Sequence, residues 1–561
     1  MLNTNVPSNL VLKQKLLRAN FSQSKYPSYQ ETIKALFRHQ SVKAKLTELE
    51  LNTHNTKEEL AHFTKTLDLQ QVLARIPTLH VAGTKGKGST CSFISRILQS
   101  CGLKTGLSTS PHLVSVRERI QINNEPINEQ DFTSLYWRIR ERIEKNKTDR
   151  YKMLPSFFRF VTMMSFQHFW ESCVDAMVIE VGIGGRFDAT NIVSPDVCTI
   201  TSLGMDHLVK LGGSLEQIAW HKAGIMKPGV HCFTVPQKLE AMKVLKKVSK
   251  QVGAKLSVPR PIDQMVNIWE SSPRIQGVRQ MYQNGKSLAL SLQGEHQKIN
   301  ATAALHTVVE FLSRRYGVID DLFGIAPNSR PNHIPCMETI GKQNTYTQNW
   351  ISAKQQEQHH QQLVIRNKEK FQLHKSLYKL PISTLMPQII KGLETTKWDG
   401  RCQLIKESNP KNSAIINWFL DGAHTTNSIN YAIKWFMGII NDRPLEQKQN
   451  TTNILIFNCI GDREIENLLE PLSKLNIFQN VIFSPNLIKK AWHLDKDLQQ
   501  LISQIWKQLN GKGKISVTDS LQNTLQLVDQ LTSKKENVNI FVTGSLHLVG
   551  GIMKLRKLKK I

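Results

Sequence analysis

Acidic residues are scarce in this chain: 45 Asp and Glu stand against 73 Lys and Arg over 561 residues, a formal net charge of +28. That imbalance attracts anions of any kind, whether nucleic acid, an anionic membrane surface or a polyanionic small molecule, and charge alone does not choose among them. Patterns that would favour nucleic acid are missing. The basic residues are scattered, with no zinc-finger spacing and no RNP-type aromatic motif, so no nucleic-acid partner is expected. No apolar run approaches the ~18 residues of a spanning helix, so no stable membrane insertion is expected either. The eight cysteines, at 91, 101, 173, 198, 232, 336, 402 and 459, include no CxxC pair, which points to free thiols in a reducing compartment. Neither Asp nor Glu occurs in the first thirty residues, where Lys13, Lys15, Arg18 and Lys25 stand among Ser and Asn. A mitochondrial transit peptide and a disordered basic tail share that composition. Cytoplasmic and mitochondrial locations therefore both stay open.

Length is not lacking, since 561 residues suffice for two or more domains with full cores. From Tyr29 to about Leu73 apolar residues recur at helical spacing. Apolar strands then alternate with helices: strands at 78–82, 104–109, 175–181, 197–202 and 230–235, and helices near 89–101, 129–146, 156–170 and 214–223. This alternation predicts an α/β fold, a doubly wound and mostly parallel sheet. Residues 327–380 break the pattern with a Gln, Asn, His and Lys-rich stretch, expected to be an unstructured insertion or linker. Strand and helix patterning resumes at about Ser383, with strands at 414–420, 453–459, 480–484, 514–518 and 538–543. The expected organisation is a basic tail (1–27), a P-loop-type domain (28–326), the polar insertion (327–380) and a smaller Rossmann-like α/β domain (381–561).

The stretch His80-Val-Ala-Gly-Thr-Lys-Gly-Lys-Gly-Ser-Thr90 runs from an apolar strand through a glycine-rich turn into a helix. Gly83, Gly86 and Gly88 let backbone N–H groups turn toward an anion, Lys87 supplies a point charge, and Ser89 and Thr90 open an apolar-periodic helix whose N-terminus favours phosphate. The pattern G-x-x-x-x-G-K-[ST] fits imperfectly, because Val81 stands where its first glycine belongs and Gly88 where its hydroxyl belongs. A glycine-rich strand-to-helix turn without a ligand stays open on these residues alone.

In open α/β sheets ligands bind outside the carboxyl ends of the strands. There the sequence places Lys87 and Ser89 after the first strand, Ser110 after the second, Glu180 on the third, and Asp206 and His207 after the fourth, with Lys222 on the next helix. Glu180 is placed like a carboxylate that holds Mg²⁺ beside a nucleotide. Each has a structural alternative: a helix cap for Glu180, a turn hydroxyl for Ser110, a core imidazole for His207. Their convergence on one sheet edge favours ATP–Mg²⁺ chemistry.

Nine blocks in order carry a resemblance: HVAGTKGKGST (80–90), STSPHLVSVRERIQIN (108–123), VIEVGIGGRFDATNIV (178–193), TSLGMDH (201–207), IAWHKAGIMKPG (218–229), GEHQKINA (294–301), LDGAHTTNS (420–428), FNCIGDRE (457–464) and VTGSLHLVGG (542–551). By them the chain resembles the folylpolyglutamate synthase and dihydrofolate synthase group of the Mur-type ATP-dependent amide ligases, in its eukaryotic form. The resemblance implies addition of L-glutamate to the γ-carboxyl of a reduced folate or folylpolyglutamate through an acyl phosphate, with ATP giving ADP and phosphate. It implies Mg²⁺, K⁺ as a monovalent activator, small-molecule partners only, and a monomer. Dihydrofolate synthesis on the same scaffold is the near alternative. An ATP-gated nucleic-acid binder and a catalytically dead scaffold are the distant ones.

Carried over residue by residue, the resemblance makes Lys87, Lys222 and His424 catalytic. Gly83 to Thr90, Asn300, Arg401 and Asp421 hold the nucleotide, with Asn300 near the adenine, Asp421 on the ribose and Arg401 on the phosphates. Ser110, Glu180, His207 and a carbamylated Lys222 serve the metals. Carbamylation needs a neutral amine, so Lys222 is expected where burial or neighbouring cations lower its pKa. Arg117 and Arg119 are weak candidates for folate contacts. The chain departs from the family at Trp398-Asp-Gly-Arg401, where proline commonly stands in place of Asp399 and fixes φ.

Overall fold

The computed structural model describes residues 26–44, 54–271, 288–318, 376–408, 415–442, 451–459, 464–486, 494–533 and 537–558. Nearly all of the basic tail, most of the polar insertion, Cys336 and part of the 457–464 block lie outside them.

Eight strands form the first sheet: β1 (Thr78–Ala82), β2 (Thr105–Ser108), β3 (Ile120–Ile122), β4 (Glu125–Pro126), β5 (Ala176–Glu180), β6 (Val197–Ile200), β7 (His231–Thr234) and β8 (Lys255–Ser257). Their spatial order is β4-β3-β2-β5-β1-β6-β7-β8. β1 lies parallel between β5 and β6, and all five of its residues are buried, because a central parallel strand is covered on both faces. From β1 the chain turns first toward β2, returns through β5 and only then moves out to β6. The loops leaving these four strands therefore gather at the point where strand order reverses, which is where such sheets bind ligands.

β3 and β4 were not foreseen. They form a two-residue hairpin around Asn123 and Asn124, whose φ angles of 52° and 64° have the sign a type I′ turn needs at both positions, a conformation Asn tolerates better than most residues.

One face of the sheet is covered by helices α1 (Lys87–Ser100), α2 (Glu295–Tyr316) and α3 (Ile382–Thr395). These share an apolar core in which Leu79, Ile94, Val308 and Ile389 are wholly buried. α3 lies close on α1: a Cβ on Gly392 would stand 2.6 Å from Ile97 Cα. Thus the helix at 382–395, which the sequence groups with the second α/β unit, packs into the first core. Helix Phe157–Glu171 covers the opposite face near β2, with the Phe169 ring 2.6 Å from where a Gly106 Cβ would be.

The second sheet contains β9 (Gln403–Ser408), β10 (Ile415–Leu420), β11 (Thr451–Phe457), β12 (Asn480–Phe483), β13 (Lys514–Val517) and β14 (Asn537–Thr543), in the order β13-β12-β11-β14-β10-β9. All pairings are parallel except β9 with β10. The five expected strands are present, and β9 is an additional antiparallel edge. The seven cysteines among the described residues are all free.

Candidate active site

The phosphate-type loop is shaped by close backbone approaches. A Cβ on Gly83 would lie 1.8 Å from Thr201 Oγ1, and one on Gly86 2.2 Å from Asn300 Oδ1. Gly83 and Gly86 also hold φ of 149° and 85°, which side-chain-bearing residues rarely adopt. The loop is fastened to the strand β6 exit, where Ser202 O accepts from both Thr84 N (2.9 Å) and Lys85 N (3.1 Å). Gly86 is the N-cap of α1 and offers no side-chain acceptor. The first N–H groups of the helix are thereby left for an anion.

Around this loop the structure gathers the strand-end residues. Glu180 is 4% exposed, accepts Ser110 N–H at 2.9 Å and has Lys87 Nζ 4.0 Å from its other oxygen. Burial raises its pKa, against the pull of Lys87. Lys222 is also buried, with Nζ donating to Gly83 O at 2.7 Å. Burial, reinforced by the charge of Lys87, pushes its amine down to about 7. A lowered amine pKa leaves more of Lys222 in the neutral form.

A polar bridge crosses from one sheet to the other. Lys85 Nζ donates to Asp206 Oδ2 at 3.0 Å and lies 2.9 Å from His424 Nε2, while His424 Nδ1 lies 2.7 Å from Gly422 O. An ammonium can only donate, so in this arrangement Nε2 accepts and Nδ1 carries the proton. Burial would raise the Asp206 pKa, but the charge and hydrogen bond of Lys85 outweigh it and hold it at about 2.

From the second sheet, Asp421 directly follows β10, with Oδ2 accepting from Cys402 N (2.7 Å) and Oδ1 from Ala423 N (2.8 Å). Its carboxylate thus organises the Trp398–Cys402 turn as well as facing the cavity. That turn presents Arg401 to the cavity and lays the Trp398 ring 2.6 Å from a would-be Cβ on Gly88. Asn300 contacts Gly86 and donates to Gln297 Oε1 at 3.0 Å, which sets it against the phosphate loop.

One cavity of about 1690 Å³ joins these groups: the loop residues Thr84 to Ser89, Ser110, Glu180, His207, Asn300, Arg401, Asp421 and His424 all line it. Lys222 stands behind the loop, joined to it through Gly83. The cavity is also walled by Phe157, Phe158, Ile183 and Asp188, none of which the sequence singled out. Their signal was present but ambiguous, since aromatic residues at the start of an apolar helix more often serve the core.

The two arginines differ. Arg117 borders the cavity and is anchored at its edge: Nη1 donates to Ile127 O at 3.0 Å, and the guanidinium lies over the Tyr29 ring. Arg119 stacks over Phe157 at 5.1 Å and donates to His112 Nδ1 at 2.9 Å. Burial pushes its pKa down to about 10.

Among the described residues no group of three or more His, Cys, Asp and Glu side chains converges as a metal site. The expected set fits a hard cation in another way. Glu180, Ser110 and His207 border one cavity and offer a carboxylate, a hydroxyl and an imidazole, leaving the remaining positions to phosphate oxygens and water, as Mg²⁺ prefers.

A nucleotide-type loop is thus faced across one cleft by an arginine and a histidine from a second α/β unit, an arrangement suited to a nucleotide-dependent enzyme. Residues 81–308 match the family model for the Mur ligase middle domain, and residues 403–555 that for the dihydrofolate synthetase C-terminal domain. The chain is 36% identical over 422 residues to the mitochondrial folylpolyglutamate synthase of Bos taurus, a match covering 75% of this chain and 61% of that protein. It is 31% identical over 510 residues to the folylpolyglutamate synthase of Saccharomyces cerevisiae, covering 85% of this chain and 77% of the yeast protein. Among solved structures it shares its fold with the Mycobacterium tuberculosis folylpolyglutamate synthase complexed with ADP and AMPPCP, at TM-score 0.59 and 21% identity, covering 88% and 95% of the two chains. The chain belongs to the folylpolyglutamate synthase family.

Proposed function

We propose that the chain joins L-glutamate to the γ-carboxyl of a folate, or of the last glutamate already attached, using ATP. The observation that carries this is the meeting of Lys87, Glu180, Arg401 and His424 from two sheets around one cavity that Phe157 and Phe158 also line. A carboxylate is a poor acyl donor, so it takes the γ-phosphoryl group of ATP and becomes an acyl phosphate that the glutamate amine attacks. Charge accumulates on phosphate oxygens in both steps, and positioned cations and N–H donors stabilise it.

In this mechanism the α1 N-terminus and Lys87 hold the terminal phosphates, and Arg401 closes on them from the second sheet. His424 stands at the transferring group, its tautomer fixed by Gly422 O. Glu180, Ser110 and His207 would hold Mg²⁺, which neutralises phosphate charge when bound. Lys222 as a carbamate would supply a carboxylate on a stem longer than that of Glu. Phe157, Phe158 and Ile183 form the apolar wall for a pterin ring, with Asp188 and Arg119 as its polar contacts. The nucleotides named with the mycobacterial enzyme support ATP here, and the mitochondrial naming of the bovine relative supports a mitochondrial location alongside the acid-free N-terminus.

Incubation with tetrahydrofolate, glutamate and MgATP should yield products that gain successive single glutamyl masses; ADP release without such products would refute the assignment. Dihydrofolate synthesis is favoured by one observation, the match of residues 403–555 to a dihydrofolate synthetase domain. Replacing the folate by dihydropteroate decides it.

The net charge of +28 acquires a use in this setting, because each turnover adds a carboxylate to the substrate. KM for long-chain folylpolyglutamates should rise with salt more steeply than KM for the monoglutamate. Parallel salt curves would show that the basic surface plays no part in holding the tail.

A further inference from the structure

The segment 110–119 runs from β2 to β3 in the first sheet, yet its tip is embedded in the second. Leu113 and Val114 pack against the apolar cluster that includes Trp418, Leu420, Val549 and Ile552. Their seat is made by glycine. A Cβ on Gly550 would lie 1.9 Å from the Leu113 carbonyl oxygen, and one on Gly400 3.1 Å from the Leu113 side chain. Gly400 belongs to the turn that presents Arg401, and its carbonyl accepts Gly422 N–H at 3.0 Å. The tip therefore touches both the turn that carries the arginine and the helix Leu546–Leu555.

The segment is held in one shape by a single buried side chain. Glu118, 7% exposed, accepts from Leu113 N (2.9 Å), Val114 N (3.0 Å) and Ser115 N (2.9 Å). Ser115 closes a capping box with it. Without that carboxylate three neighbouring donors lose their acceptor, a cost the loop can escape only by changing shape. At one end of the same rigid piece Ser110 N–H is bonded to Glu180. At the other end Arg119 lies over Phe157 and donates to His112.

We propose that segment 110–119 is a strut that transmits the seating of the second α/β unit to the Glu180 corner of the cavity, with Leu113 and Glu118 as positioning residues. Seating Leu113 between Gly400 and Gly550 fixes, through the Glu118 clamp, both the Ser110–Glu180 contact and Arg119. The corner is then fully set only when the unit carrying Arg401 and His424 is in place. The consequence for turnover rests on the proposed ligase activity; the mechanical coupling does not.

The test compares the full-length wild type with Leu113→Ala, Leu113→Met and Gly550→Ala by amide hydrogen exchange and steady-state kinetics. Leu113→Ala and Gly550→Ala should speed exchange at the Ser110 amide by about tenfold or more while β1 amides keep wild-type protection. In Leu113→Ala, kcat for glutamate addition should fall about tenfold with KM for ATP within about threefold of wild type, and Leu113→Met should retain near-wild-type values of both. Wild-type protection at Ser110 in both variants overturns the coupling. So does faster exchange spread equally through β1 in Leu113→Ala, since that is plain loss of stability. Should the wild type add no glutamate, the proposed function fails, and the exchange data still decide whether the strut exists.

Discussion

Replacing Lys222 by alanine is expected to lower kcat by about 10²–10³-fold, equivalent to about 3–4 kcal/mol of lost transition-state stabilisation, while ATP binding changes by no more than a few fold. The reason lies in its placement. Lys222 is buried behind the phosphate loop and touches it only through Gly83 O, so its removal leaves the loop amides and Lys87 able to hold the nucleotide. A carbamate there would supply an anion that no encoded side chain at 222 could match in reach. Added short-chain carboxylates should therefore restore part of the activity of Lys222→Ala. Restoration by a small primary amine instead would show that the plain ammonium is the working form. Wild-type turnover in the alanine variant would remove Lys222 from the mechanism altogether.

Lys87→Ala should act differently, lowering kcat/KM for ATP by about 10²–10³-fold and weakening nucleotide binding as well. Lys87 is the cation nearest Glu180, at 4.0 Å, and it stands at the first turn of α1, where phosphate and helix N–H groups meet. Without it the Glu180 carboxylate loses the neighbour that opposes its raised pKa. Calorimetric titration of the non-hydrolysed nucleotide separates the two variants: Lys222→Ala should bind it nearly as the wild type does, and Lys87→Ala should not. Equal binding in both would mean that the loop amides alone carry the phosphates.

The parts of this site that the sequence disclosed are those encoded by neighbouring residues. β1 and β5 are buried along their whole length and mostly apolar because they are covered on both faces, and the residues at their exits could be placed from strand ends alone. β9 escaped because it is an edge strand whose exposed Lys406 and Ser408 and half-buried Glu407 blunt the alternation a strand would otherwise show. The resumption of regular patterning at about Ser383 marks where helix 382–395 lies, but its membership in the first core rests on contacts with α1, far earlier in the chain, which no local periodicity records. The same holds for Lys85, whose loop context is plain while its partner His424 lies 339 residues away. Arg117 and Arg119 look alike in sequence and both border the cavity; only packing shows that the first also braces the hairpin, through Ile127 O, while the second stacks on Phe157.

Because helix 382–395 belongs to the first core, the crossing between the two units is confined to the short turn from Lys397 to Arg401. That turn is tied at both margins, with Ser92 Oγ donating to Lys397 O at 2.9 Å and Gly422 N to Gly400 O at 3.0 Å. That connection is itself a stretch of cavity wall, lined by Lys397, Trp398, Asp399 and Arg401. The length of this turn is therefore not a free variable: adding one residue to it would shift Arg401 out of register with Lys87 even if both units folded perfectly.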